Sequence, residues 1–274
     1  MKPCILPWIN FGTNTYGKAR VCGYSSETSD VWDFNSEYFK DIRNSFLKNE
    51  WPKNCKRCRH VEELGGTSKR MDENHMWYDK YKHLIGKEVT YFPPHLDVRT
   101  GTICNFKCIH CGPASSSKWM EDYDLIRSFG YNFPPVDDKW ITQENVFWDS
   151  LDISQIKRYN FLGGESFYNK RHNEFIKRLN ESEYAKDVEI AYVSNGSLRF
   201  ENMENFKKVR LRLSVDCTEK AGEYFRYGLN WNDWCNNINN FPSNFDVSFQ
   251  WTCSNVSMFY LKDTYTYMRT EFPN

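Results

Sequence analysis

The sequence predicts an α/β fold with parallel strands, preceded by a small cysteine-rich α+β domain. Three observations carry this expectation. After Phe92-Pro93-Pro94, short apolar runs alternate with helix-length segments, as in repeated strand–helix units. Before that point the chain is short-segmented and rich in turn residues. Seven of the ten cysteines fall into two groups, one in each part. The boundary is placed near residue 92, giving domains 1–92 and 93–274; 274 residues suit two modest domains of roughly 100–180 residues each.

In the first part, Gly12-Thr-Asn-Thr-Tyr-Gly17 reads as the turn of a hairpin built around Cys4 and Cys22. Residues 36–49 read as an amphipathic helix, with Tyr38, Phe39, Ile42, Phe46 and Leu47 near helical spacing, ending before Trp51-Pro52. Cys55 and Cys58 follow directly. In the second part the expected strands are 95–100, 158–162, 188–194, 209–215 and 247–253. The helices expected between them are 115–129, 170–180, 202–207 and 231–240, long enough or nearly so to serve as crossovers. One helix-length segment, 258–270, remains after the fifth strand. The stretch 131–153 fits no unit, and Phe133-Pro134-Pro135 suggests an inserted loop.

Composition excludes several function classes. Thirty-six Lys+Arg balance 36 Asp+Glu, so no global field recruits nucleic acid or an anionic membrane. No helix-turn-helix, RNA-binding or phosphate-loop motif supports a nucleic-acid module. Mean hydropathy is −0.75, yet 17% of residues are aromatic, which argues against disorder and for an aromatic-rich interior. No run approaches the roughly 20 apolar residues that span a bilayer, and Met-Lys-Pro-Cys-Ile-Leu-Pro-Trp lacks the apolar stretch of a signal peptide. A cytoplasmic protein without membrane partners is expected. Ten cysteines without an export signal then point to metal or redox chemistry instead of disulfides.

Cys104-Asn-Phe-Lys-Cys108-Ile-His-Cys111 follows the strand expected at 95–100. Three thiolates on one loop can hold three corners of a 4Fe-4S cube and leave one iron open, since cubane clusters are normally held by cysteine thiolates. The same spacing also suits a zinc site completed by His110 or a distant residue. The strand expected at 158–162 ends in Gly163-Gly164-Glu165-Ser166, where two glycines permit close backbone approach and Glu165 adds a carboxylate that could hold an ammonium group. Read without other context, that turn is an ordinary strand-to-helix connection.

Together these motifs resemble the radical S-adenosylmethionine (radical SAM) enzymes over about 95–260. The resemblance implies a partial (β/α) barrel of about five to six parallel strands, with the last strand missing or supplied differently here. It implies that Cys104, Cys108 and Cys111 ligate a 4Fe-4S cluster whose open iron chelates S-adenosylmethionine. Gly163, Gly164 and Glu165 would line its methionyl end, with Ser166 in place of the usual proline, and His110 takes a position where the family commonly has a larger aromatic residue. Val193-Ser-Asn195-Gly196 looks like the family's third-strand turn, and Leu213-Ser214-Val-Asp216 like its fourth-strand motif. By the same resemblance Ser214 and Arg226 contact the cofactor's carboxylate or ribose, a task suited to a planar guanidinium; unaided, Arg226 also reads as a surface residue stacked on its aromatic neighbours. All these motifs sit at C-terminal strand ends, where parallel β/α folds place their sites.

Cys4, Cys22, Cys55 and Cys58 could complete a metal site with no free position, and a structural zinc ion fits that spacing. Pro7-Trp8, Gly17-x4-Cys22, the helix entry from Trp32 to Arg43 and Trp51-Pro52-x2-Cys55-x2-Cys58 also resemble, in order, the SPASM and twitch modules that carry auxiliary 4Fe-4S clusters. No cysteine lies between Leu64 and Thr90, so one auxiliary cluster, as in the twitch form, is the fitting count. Here the module precedes the core instead of following it. Arg57, Arg59, Lys69 and Arg70 either offset a cluster's negative charge or belong to a solvated loop.

Cys217, Cys235 and Cys253 have no ligand spacing and read as packing residues, although Cys217 and Cys253 lie near strand ends, where a thiol could give a hydrogen atom to a substrate radical. Asp216 reads as a strand-end cap or as a base acting after radical formation. His60, His75, His83, His95 and His172 show no metal-ligand pattern. The expected activity is reductive cleavage of S-adenosylmethionine to a 5′-deoxyadenosyl radical and hydrogen abstraction from a substrate, first a peptide or protein. An electron donor such as flavodoxin or ferredoxin is implied. The alternatives are a non-catalytic iron-sulfur or zinc interaction protein, and an enzyme acting on a small carbohydrate- or nucleotide-like substrate.

Overall fold

The structure, a computed structural model, describes residues 1–133, 136–144 and 146–272. Along the chain run α1 (Leu6–Ile9), β1 (Asn10–Thr13), β2 (Ala19–Arg20), α2 (Glu37–Leu47), α3 (Lys56–Glu63), α4 (Lys69–Tyr81) and β3 (His95–Arg99). There follow β4 (Lys107–Cys108), α5 (Tyr123–Ser128), α6 (Lys139–Thr142), β5 (Arg158–Leu162), α7 (Lys170–Asn180), β6 (Glu189–Ser194) and β7 (Lys208–Val215). The last elements are α8 (Glu219–Phe225), β8 (Arg226–Tyr227), α9 (Trp231–Asn239), β9 (Asp246–Trp251) and α10 (Leu261–Glu271). Hydrogen bonding orders the main sheet β2-β1-β3-β5-β6-β7-β9, mostly parallel, and pairs β4 with β8 separately. No helix among the described residues is long and apolar enough to cross a membrane.

The chain divides into two compact units, Met1–Arg99 with Leu151–Asn160, and Thr100–Ser150 with Phe161–Asn274. In the first, β1 and β2 form the expected hairpin, turning at Gly17 with φ of 78°. Cys22 follows that hairpin, whereas Cys4 lies before α1. β1 also pairs parallel with β3, Asn10 opposite His95. Beyond the five expected strands the sheet gains β1 and β2 from the N-terminal segment, with β1 beside the first of the five; among the described residues no strand follows β9. Helix α2 buries Phe39, Ile42 and Phe46 at helical spacing, while Leu47 is exposed. Beside them Arg43 is buried, its guanidinium donating to the Pro7 and Phe34 carbonyls at 2.8 and 2.7 Å. The basic stretch expected as a loop is helical: Arg57 and Arg59 lie on α3, and Lys69 and Arg70 open α4 behind a Ser68 cap. Arg57 and Arg59 are solvated, whereas Arg70 is buried and ion-paired with Glu62.

In the second unit β6 is buried almost throughout, the mark of a strand covered on both faces. β7 alternates, burying Val209, Leu211, Leu213 and Val215 and exposing Arg210 and Arg212. Asn169 caps α7 by accepting from the Arg171 and His172 backbone, and the helix buries His172, Phe175, Ile176 and Leu179. The segment expected as a helix at 202–207 is not one. Asn202 takes a left-handed φ of 57°, and the Asn180 side chain bonds the Asn205 N–H and Glu204, so a turn buries Met203 and Phe206 instead. The helix expected at 115–129 is shortened to a 3-10 segment, Ser117–Asp122, followed by α5. The stretch read as an inserted loop holds α6 and a buried Trp148 packed on Phe161, Phe175 and His172; Pro134 and Pro135 lie outside the described residues.

His172, fully buried 3.0 Å from the Tyr192 hydroxyl, is pushed down to about 4 by burial, and His95 to about 3 by burial with Arg158 and Lys80 adding to it. Both imidazoles fold neutral, while the unfolded chain protonates them below about 6.5. Their contribution is complete above that pH and is lost as pH falls toward 4, on the order of 3 kcal/mol for His172. Urea midpoints measured from pH 7 to 4.5 are expected to fall, and His172→Gln to flatten the curve; an unchanged slope in that variant would remove His172 from the account.

Candidate active site

The cysteine loop begins where β3 gives out and is pinned along its length. Ser117 Oγ accepts the Cys104 N–H at 3.2 Å, and Ser116 Oγ donates to the Phe106 carbonyl at 2.6 Å. The Trp119 indole donates to the Cys108 carbonyl at 3.1 Å. The β4–β8 ladder places Cys108 opposite Arg226, extended by Ile109 N–H to the Phe225 carbonyl at 3.0 Å. Asn105 bonds both Asn195 and Ser197 at 2.9 Å, joining the loop to the end of β6.

The Gly163-Gly164 turn lies against the same loop through two backbone bonds, Gly164 N–H to Gly101 O at 3.0 Å and Glu165 N–H to Ile103 O at 2.7 Å. Gly163 has φ of 132°, and a Cβ there would stand 2.8 Å from the Thr100 nitrogen. A Cβ on Gly164 would collide with the Ile103 carbonyl. Gly163 is required by its positive φ and by contact, and Gly164 by contact alone. Ser166, where the family pattern has proline, is buried and bonds the Thr100 hydroxyl at 3.0 Å.

The three thiols, the two glycines, Asn195, Ser214 and Arg226 line one pocket. His110, Ser194 and Thr252 also line it. Glu165 lies behind the turn, 1% exposed, its carboxylate accepting from Ser194 Oγ at 2.9 and 3.0 Å, Asn195 N–H at 2.8 Å and Phe167 N–H at 3.4 Å. Burial raises its pKa against those bonds. In this structure Glu165 ties β6 to the turn.

Asp216, with no exposed surface, sits 2.9 Å from Arg226 Nε and 3.5 Å from His110 Nδ1, and accepts the Thr252 N–H at 3.2 Å. Cys108, His110 and Cys111 bring ligand atoms within 4.8 Å of one another. Cys111 is drawn down to about 7 by its hydrogen bond with Cys108, which that bond and burial raise in turn; Arg226 pulls both downward. Cys217 is buried and raised to about 11 by burial, and Cys253 is exposed beyond β9; neither lines the pocket. The thiol spacing and the glycine turn are local signals, and the structure brings both to one pocket, whereas Asn105, Ser116 and Thr252 carry no local signal.

In the first unit Cys4, Cys22, Cys55 and Cys58 converge on a second pocket, with Lys69 and Arg70 at its wall. Burial drives Cys4 well up, the other three thiols adding to it, and takes Cys55 to about 12.

The Radical SAM superfamily model matches residues 98–266, so the chain belongs to the radical SAM superfamily. That family implies a 4Fe-4S cluster and S-adenosylmethionine. The chain is also similar to a protein named GTP 3′,8-cyclase from Campylobacter lari (strain RM2100 / D67 / ATCC BAA-1060), 26% identical over 117 residues, which cover 41% of this chain and 31% of that one. The chain thus spans about a third of that relative's length. No solved structure matches. The donor set fits the implied groups: three thiols on one loop for a cluster, and backbone, hydroxyl, amide and guanidinium groups on the facing walls for a zwitterion.

Gly164→Ala is expected to lose about 1–3 kcal/mol through forced displacement of the Ile103 backbone. Gly23→Ala, where a Cβ meets nothing within 4 Å, serves as the reference. Equal urea midpoints for the two variants would contradict the close approach.

Proposed function

We propose that the chain cleaves S-adenosylmethionine reductively and abstracts a hydrogen atom from a substrate. The observation that carries this reading is the convergence of Cys104, Cys108 and Cys111 with Gly163, Gly164, Asn195, Ser214 and Arg226 on one pocket. When bound, the cluster supplies one electron that splits S-adenosylmethionine into methionine and a 5′-deoxyadenosyl radical. The three thiolates hold the cluster, and the glycine turn brings main-chain groups to the methionyl end. Ser214, Asn195 and the free edge of Arg226 orient the carboxylate and ribose. A flavodoxin or ferredoxin supplies the electron in the cytoplasm.

For the substrate we favour a nucleotide-like small molecule, supported by the similarity to a protein named GTP 3′,8-cyclase. A peptide, which the SPASM and twitch resemblance implies, is the other candidate. Residues 1–92 we take as a twitch-like module whose Cys4, Cys22, Cys55 and Cys58 hold a second 4Fe-4S cluster, and 93–274 as the catalytic core. Convergence of the four thiols on one pocket supports this. Zinc binding is the rival reading at both centres. At the loop it draws on the closeness of Cys108, His110 and Cys111.

Anaerobic reconstitution, reduction and addition of S-adenosylmethionine are expected to yield 5′-deoxyadenosine from the natural loop and none from a Cys104→Ala/Cys108→Ala/Cys111→Ala variant. Background-level product from a sample with an intact reduced cluster would reject the catalytic reading. Nucleotides and peptides added in parallel identify the substrate class by which of them raises turnover.

Metal analysis tests the second centre. About eight irons per chain should fall to about four in a Cys4→Ala/Cys22→Ala variant. About four irons and one zinc in the natural chain, with the zinc lost in the variant, would refute an auxiliary cluster.

A further inference from the structure

We infer that Asp216 is a positioning residue: it holds the Arg226 guanidinium against Cys108, where an N–H directed at the sulfur makes the loop's cluster easier to reduce. This rests on the reading of Cys104, Cys108 and Cys111 as cluster ligands.

Asp216 and Arg226 are 0% and 5% exposed, so both charges have left water. An isolated buried charge is costly, and each is the other's compensation. The carboxylate is fixed from several sides. Its Oδ1 accepts the Thr252 N–H, and the Asp216 carbonyl accepts the Trp251 indole N–H at 2.5 Å, which anchors the residue to the end of β9. Its Oδ2 faces Arg226 Nε at 2.9 Å and His110 Nδ1 at 3.5 Å.

Arg226 is held by its own main chain as well, because β8 pairs with β4 and sets it directly across from Cys108. With Nε turned to Asp216, Nη1 lies 3.9 Å from Cys108 Sγ. The contact with Asp216 is an ion pair without an aligned hydrogen bond, so it fixes the guanidinium by charge. Reduction adds one negative charge to a cluster. A cationic N–H aimed at a ligand sulfur therefore favours the reduced form, and hydrogen bonds to the sulfurs are among the determinants of cluster potential. A lysine could keep the charge but not both directions at once, since only the planar fork presents Nε and Nη1 at a fixed angle.

The test is an EPR-monitored redox titration of the full-length reconstituted protein, with dithionite as the source of the single electron. Arg226→Lys keeps the charge and removes the fork. At the potential where the natural protein is half reduced, it is expected to hold about tenfold less reduced than oxidised cluster, a midpoint about 59 mV lower. Asp216→Asn is expected to shift the midpoint in the natural background and to lose that shift in the Arg226→Lys background, the non-additivity of a residue acting through another. Iron and sulfide content, which a purely structural role would change, should stay at the natural level. An unchanged midpoint in Arg226→Lys, or an Asp216→Asn shift of equal size in both backgrounds, overturns the proposal. If Arg226→Lys does not retain its cluster, Asp216→Glu moves the guanidinium without altering charge and should lower the midpoint; no change there overturns it equally. A natural protein that yields no reducible 4Fe-4S signal from its loop instead refutes the cluster reading itself, and this inference with it.

Discussion

The contact between the Gly163-Gly164 turn and the start of the cysteine loop is the constraint on which the candidate site depends. It is made backbone to backbone, through Gly164 N–H to Gly101 O and Glu165 N–H to Ile103 O. Main-chain groups bonded at this range leave no space for a Cβ, so the separation of the thiol-bearing wall from the wall facing it is set by covalent geometry and hydrogen-bond length. Side chains then add chemistry to a frame they did not determine.

Two buried carboxylates close that frame. Glu165 gathers donors from Ser194, Asn195 and Phe167, and Asp216 from Thr252 with Arg226 beside it. Each one joins ends of separate strands, and each is tolerated in the interior only because its oxygens are met by donors or a cation. The pocket is thereby held in shape by charged groups that do not all face it: Glu165 is turned away, and Arg226 divides its donors between an anchor and a sulfur.

Much of the fold was legible in local patterns. The limits of β5 and α7 follow from short-range signals, alternation in the strand and the Asn169 cap with its apolar face in the helix. The thiols were legible because ligand spacing on one loop is itself local. Helices α3 and α4 escaped notice because their faces are mostly charged and their stability comes from packing and pairing. At 202–207 an asparagine-rich stretch took a turn closed by Asn180, a residue more than twenty positions earlier. The parallel pairing of β1 with β3 joins segments some eighty residues apart, and neither strand's own sequence encodes that partner. Glu165 shows the same limit within the site: its place in the turn was readable, but the inward course of its carboxylate depends on donors from β6.

The ladder between β4 and β8 also orders events in time. Cys108 and Arg226 are separated by 118 positions, so a nascent chain carries its three thiols out of the ribosome long before the strand that secures them. Until Arg226 and Tyr227 emerge, the loop lacks the main-chain bonds that fix its middle. A rigid loop therefore belongs to the finished chain, and oxidation of unprotected cysteines is the hazard of the interval during its synthesis.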